Sequence, residues 1–145
     1  MLYFDFKQLF YSATADKHKI SNSTSDPAIL TNLLNLVFYV LNPLRIKLGV
    51  AITIVCAYRG TALNALLPGS STTSQHCLGQ AADIMIAGMT PEQGFDYIRH
   101  SGIEYDQLIL EHNPTGDCLH ISFALGKNRK EALIRARDMK TYKRV

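Results

Sequence analysis

The residues able to do chemistry are concentrated in Ser74-Gln75-His76-Cys77-Leu78-Gly79-Gln80-Ala81-Ala82-Asp83, where an imidazole is followed seven positions later by a carboxylate. Ala82-Asp83-Ile84-Met85-Ile86-Ala87 reads as a buried strand, so Asp83 opens an otherwise apolar run. A carboxylate at such a place is costly unless a cation or several donors meet it. A divalent metal ion held by His76, Asp83 and one more ligand meets that need. His120, in Cys118-Leu119-His120-Ile121-Ser122-Phe123, also lies on a short apolar strand and is the natural third ligand. Three nitrogen or oxygen ligands with a fourth position left to water is the arrangement of a catalytic zinc site. The expectation is therefore one Zn2+ ion on His76, Asp83 and His120. Taken singly, each residue has a plainer reading: a surface pair for His76 and Asp83, a satisfied core histidine for His120.

The pattern Ser-x-His-x-x-Gly-x-Ala-x-Asp, completed by His-x-Ser, resembles the M15 zinc peptidases. These are the D-alanyl-D-alanine carboxypeptidase and endolysin group, and the likeness is to its short, M15A-type phage and bacterial subfamily. The resemblance runs along nearly the whole chain in order. Phe6 to Ala15 looks like the opening segment, and Leu41-Asn42-Pro43-Leu44-Arg45 like the end of the first long helix. Ala57-Tyr58-Arg59-Gly60 is similar to the Ser-Gly-Tyr-Arg block, and Tyr105-Asp106-Gln107-Leu108-Ile109-Leu110-Glu111 to the Asp-Gln-Leu-Ile-x-Glu strand. It implies an α+β fold with a small, mostly antiparallel sheet and a zinc site of the D-Ala-D-Ala peptidase and Hedgehog-like type. It also implies hydrolysis of amide bonds in peptidoglycan stem peptides, by carboxypeptidase or endopeptidase action.

Roles for further residues follow from the same resemblance. A metal peptidase needs a carboxylate to carry a proton from water to the leaving amine. Glu111 matches the glutamate that ends the family strand, while Asp117, three before His120, has the spacing of the Glu-x-x-His of other M15 branches. Glu111 is the preferred base, and both stay open at this point. Arg59 is expected to steady the oxyanion, a role that suits a planar, permanently charged fork. Ser74 is a candidate substrate-binding residue; Tyr58 either lines the pocket or belongs to the core. Cys118 stands where the family carries an aromatic residue and shares a strand face with His120. A cysteine ligand, or a Cys-His nucleophile and base, is the rival chemistry. His18, His100 and His112 have no partner by spacing, although His112 follows Glu111. Two other readings stand beside the peptidase: a peptidoglycan-binding or structural module that has lost turnover on the same scaffold, and a cytosolic dipeptidase.

The elements that must position these residues can be read in order. At 145 residues the chain is one domain, residues 1–145, large enough for a real core. Phe4, Phe6, Leu9 and Phe10 make one face of a short helix or turn, and residues 15–25 read as a loop. Asp26-Pro27 starts a helix by capping and by proline at its first position. Leu33, Leu34, Val37, Phe38, Leu41, Leu44 and Leu48 carry that helix forward, with Pro43 bending it or starting a last turn and Gly49 ending it. Residues 50–57 read as a central strand, apolar on both faces. Thr61 to Leu67 makes a short helix stopped by Pro68-Gly69. Thr90-Pro91-Glu92-Gln93 is a capping box for the next helix. Two short strands, Gln107 to Glu111 and Cys118 to Phe123, form a hairpin around Asn113-Pro114-Thr115-Gly116 that brings Glu111 near His120. Residues 128–145 read as a basic helix or frayed tail.

The net charge of +3 is mild, and its basic residues gather between Lys127 and Arg144. Such a tail suits an anionic polymer or simply a solvated face; no nucleic-acid partner is expected. The three cysteines have no framework spacing, so free thiols from a reducing compartment are expected. No basic and apolar leader is visible, and the longest apolar stretch, Leu33 to Leu41, is too short to span a bilayer. The expected protein is a monomer without a transmembrane segment or signal peptide. It is made in the cytoplasm and acts on the wall after release, or rides on a virion.

Overall fold

A computed structural model describes residues 3–68, 70–138 and 140–145. Its helices are α1 (Phe6–Phe10), α2 (Ala13–His18), α3 (Pro27–Leu36), a π-helical turn (Val37–Leu41), α4 (Asn42–Leu48), α5 (Thr61–Leu66) and α6 (Pro91–His100). Its strands are β1 (Ile52–Cys56), β2 (Ala81–Ile86), β3 (Gln107–Glu111), β4 (Cys118–Ser122), β5 (Glu131–Arg135) and β6 (Tyr142–Arg144). The strands form one sheet in the order β1-β2-β4-β3-β5-β6. Every neighbouring pair is antiparallel except β3 and β5, which run parallel. The fold is α+β, as the motif order implies.

The long core helix begins where the cap was expected. Asp26 accepts from the Ala28 N–H at 2.8 Å, and Pro27 takes the first helical position. Pro43 cannot donate to the carbonyl four residues back, and its ring crowds that carbonyl. The helix relieves the conflict by widening rather than by breaking: residues 37–41 form a π turn in which the Asn42 N–H reaches Val37 O. Gly49 then closes the helix in the left-handed conformation. The 22 residues from Pro27 to Leu48 are long and apolar enough to cross a membrane. Here, however, Leu33, Leu36, Val40, Leu41 and Leu44 are fully buried in the core, against the sheet residues Ile84, Leu108 and Ile121. The Thr90 capping box is also formed, with Thr90 and Gln93 bonding one another's backbone N–H groups.

Four expectations need correction. Among the described residues the β1 strand lies at an edge of the sheet, not at its centre, and it is not apolar-buried on both faces: Thr53 and Val55 are exposed on the face opposite buried Ile52. The first part of the stretch read as a loop, residues 15–18, is helical: it belongs to α2, capped by Ser12 and closed by Lys19 in the left-handed region. Phe6 is exposed, whereas Phe4 and Leu9 of the opening face are buried in the core and Phe10 packs against it half-buried. The C-terminal stretch is neither helix nor frayed tail: Glu131-Ala132-Leu133-Ile134-Arg135 pairs with β3, and Tyr142–Arg144 covers it. Its basic residues are distributed over a β-ribbon. The helix stop placed at Pro68-Gly69 falls partly on Gly69, which lies outside the described residues; α5 ends at Leu66.

Candidate metal centre

Antiparallel pairing brings the two strand ligands together. Register places Asp83 of β2 directly opposite His120 of β4, so both side chains leave the same face of the sheet. The third arrives from the turn-rich loop before β2. That loop is held by hydrogen bonds from the Arg59 N–H to His76 O (3.2 Å) and from Asn32 Nδ2 to Leu78 O (2.9 Å). Gly79 lets it lie flat on α3: its φ is +69°, and a Cβ there would stand 2.7 Å from Ile29 O. Gly79 therefore serves the docking of the loop against the helix.

Three atoms converge as a result. His76 Nε2 lies 3.2 Å from His120 Nδ1 and 3.2 Å from Asp83 Oδ1, and His120 Nδ1 lies 3.1 Å from Asp83 Oδ1. His76 Nδ1 is 2.6 Å from Ala57 O. A carbonyl can only accept, so Nδ1 carries the proton and the neutral ring turns a bare lone pair on Nε2 toward its two neighbours. Three lone pairs turned on one another repel, and either a cation among them or an N–H on His120 Nδ1 given to Asp83 Oδ1 relieves the repulsion. Ligands at about 2.0–2.1 Å from a tetrahedral ion are about 3.3 Å apart, so the triangle has the size for Zn2+. The carbonyl that fixes the His76 tautomer is the outer hydrogen bond that metal-binding histidines ordinarily make. Burial opposes ionisation of Asp83; positive charge facing it, carried by protonated His76 and His120 rings or by a cation among them, outweighs burial and holds its carboxyl well below the usual range.

The triad stands in a cavity of about 830 Å³, whose lining includes Arg59, Ser74, Gln75, Glu111, Asn113 and Arg135. The two carboxylates weighed as proton carrier are placed differently. Glu111, opposite Cys118 in the β3–β4 hairpin, has its carboxylate within 4.8 Å of that of Asp83. Asp117 is held by His112 Nδ1 at 2.7 Å and Arg137 Nη2 at 3.6 Å. The His112 hydrogen bond, chiefly, lowers its carboxyl below the ordinary value. Arg59 donates from Nη2 to Ser74 Oγ at 3.3 Å, and its buried Nε has no hydrogen-bond partner among the described residues. Ser74 Oγ also accepts from the His76 N–H at 3.3 Å, which couples the arginine to the ligand loop.

Tyr58 is absent from the lining: it is buried and packs edge-on against Phe10, 5.7 Å between centroids, which is the core alternative. The cysteine chemistry finds little support. Cys118 Sγ donates toward Glu111 Oε2 at 3.9 Å, and burial, then the Asp83 and Glu111 charges, pushes its thiol up. Cys77 is half-buried, and burial raises its thiol as well. His18 and His100 lie off the cavity lining.

Two residues beside the centre escape a reading of motifs. Cys56 faces Asp83 across β1–β2 with its sulfur within 4.8 Å of the His76 and Asp83 ligand atoms. Burial, then Asp83, pushes its thiol up to about 12, so it is a neutral neighbour. Arg135 Nη2 donates to Glu111 Oε2 at 2.8 Å. Its signal was the short apolar run Ala132-Leu133-Ile134 between charged ends, a strand pattern in a stretch whose basic residues suggested a helix.

A protein-family model described as Peptidase M15 matches residues 3–122, most of the chain and all three triad residues. No curated protein matches the sequence.

Proposed function

The chain belongs to the peptidase M15 family, and from that premise we propose that it is a zinc peptidase that hydrolyses amide bonds in peptidoglycan stem peptides. The observation that carries this reading is the convergence of His76, Asp83 and His120 at 3.1–3.2 Å, with Glu111 alongside. Bound there, Zn2+ would polarise the scissile carbonyl and bring the ionisation of a water molecule toward neutral pH.

The protein's own residues have separable tasks. Oε2 of Glu111 is engaged by Arg135 and Cys118, which leaves Oε1 to take the proton of the attacking water. The same carboxyl returns that proton to the departing nitrogen. Arg59, on the cavity wall, supplies a charge that is present before the carbonyl oxygen becomes negative. It therefore favours the transition state over the ground state. Ser74 keeps that guanidinium aimed. The cavity of about 830 Å³ is large enough for several residues of an extended peptide, which suits an endolysin-like role on the cell wall, after release from the cytoplasm or as part of a virion.

The test is mass spectrometry of muropeptides after digestion of purified sacculi. Zinc-loaded protein is expected to release defined stem-peptide fragments, and a chelator to stop it. The fragments identify the bond, carboxypeptidase and endopeptidase action leaving different termini. Intact sacculi with stoichiometric zinc would favour a binding module. Cleavage of free D-Ala-D-Ala alone would favour a dipeptidase.

A further inference from the structure

The family match ends at residue 122, yet the described chain continues into a ribbon that returns to the site. Parallel pairing of β3 with β5 sets Gln107 beside Glu131 at one end and Glu111 beside Arg135 at the other. The two same-face contacts follow from that register: Gln107 Nε2 donates to Glu131 Oε2 at 2.7 Å, and Arg135 Nη2 to Glu111 Oε2 at 2.8 Å. The second pair is largely buried, with 15% of the Arg135 side chain and 11% of that of Glu111 exposed. Arg135 Nη2 also donates to Asn113 Oδ1 in the hairpin turn, and the Arg135 carbonyl accepts from the His112 N–H at 3.1 Å. Arg135 therefore holds Glu111 together with the two residues that follow it.

Glu111 needs such a grip. Its carboxylate lies within 4.8 Å of that of Asp83: without a metal ion the two like charges repel, and a bound ion would instead draw Glu111 toward itself, so in either state the carboxylate needs an outside anchor. Its other neighbour, the Cys118 thiol, is a weak donor at 3.9 Å. Among the described residues, Arg135 forms the one ion pair with Glu111. We infer that Arg135 is a positioning residue: it acts through Glu111, holding Oε2 so that the carboxylate keeps the orientation from which Oε1 serves the reaction. The C-terminal ribbon is on this account part of the working site. The inference rests on the role given to Glu111 above.

Two variants, Arg135→Gln and Arg135→Lys, separate this role from others. Zinc content and melting temperature are measured first, then kcat and KM on a soluble muropeptide, alone and combined with Glu111→Gln. Arg135→Gln is expected to keep one zinc per chain and to lower kcat by about 10- to 100-fold, with KM little changed. Arg135→Lys should recover part of the loss. In the Glu111→Gln background the same substitution should cost nothing more, because the group it positions is already gone. A rise in KM at constant kcat would instead make Arg135 a substrate ligand and overturn the inference, as would a full additional loss in the double variant. Crystal structures of the zinc-loaded Arg135→Gln protein give a readout independent of turnover: the Glu111 carboxylate should leave its place. If it stays, the inference fails even where the peptidase reading holds. If the wild type cleaves nothing while Glu111 moves, the peptidase reading fails alone.

Discussion

At the scale of single residues, the site is a matter of protons and charges. The Ala57 carbonyl decides which nitrogen of His76 is bare, and that nitrogen completes a triangle of a size that suits a cation. Alanine at His76, Asp83 or His120 should therefore abolish stoichiometric zinc binding, read by elemental analysis after dialysis. Glu111→Gln makes a different prediction, since it removes proton transfer without removing a ligand. The zinc should remain while kcat falls by about 10²- to 10⁴-fold. Asp117→Asn, whose partner contacts lead to His112 and Arg137, should stay within a few-fold of wild type. The reverse pattern would transfer the proton to Asp117. Arg59→Ala should lower kcat by about 10²- to 10³-fold, the loss typical of one preorganised oxyanion donor. All three triad residues were legible in the sequence, because ligand types and small spacers leave a pattern. Arg135 and Cys56 were not, because what brings them to the site is strand register, and register is written in no local motif.

At the scale of elements, ligand geometry is delegated to strand pairing and to one tightly docked loop. Asp83 and His120 are opposed by β2–β4 register, and a one-residue slip would turn one of them to the other face. His76 depends on the loop that Gly79 seats against Ile29. Gly79→Ala must place a side chain at positive φ and against a backbone carbonyl, so it should cost at least about 1–3 kcal/mol, read by chemical denaturation. Zinc affinity should fall with it, because His76 is carried on the displaced segment. The helix signals were legible because caps and prolines act locally: Asp26-Pro27, Gly49 and Thr90 did as their chemistry dictates. The edge position of β1 and the ribbon at residues 131–144 were not. An apolar strand reads alike whether one neighbour or two will pair with it, and scattered lysines and arginines in a short strand resemble a helix face.

At the scale of the whole molecule, the segment leading into the C-terminal ribbon and the loop that carries His76 are tied through Asp106. This nearly buried carboxylate accepts from Arg129 Nε at 2.8 Å and Nη2 at 2.6 Å, and from Gln75 Nε2, in the ligand loop, at 2.7 Å. The Arg129 hydrogen bonds are the largest cause of a carboxyl held below its ordinary value. A group depressed in the folded state contributes stability that is present above its unfolded value, about 3.9 for aspartate. That contribution is lost as the pH falls through the lower folded value. Asp106→Asn should thus lower the melting temperature at neutral pH and flatten its fall in acid below about pH 4, followed by calorimetry of the metal-free protein. An unchanged acid profile would mean that another carboxylate governs it.

The most direct test of the account is anomalous diffraction at the zinc edge from crystals grown with one equivalent of zinc. The account predicts one peak at about 2.0–2.2 Å from His76 Nε2, His120 Nδ1 and an Asp83 oxygen. A zinc-replete crystal with no density among these three side chains, or with its ion held elsewhere, would contradict it.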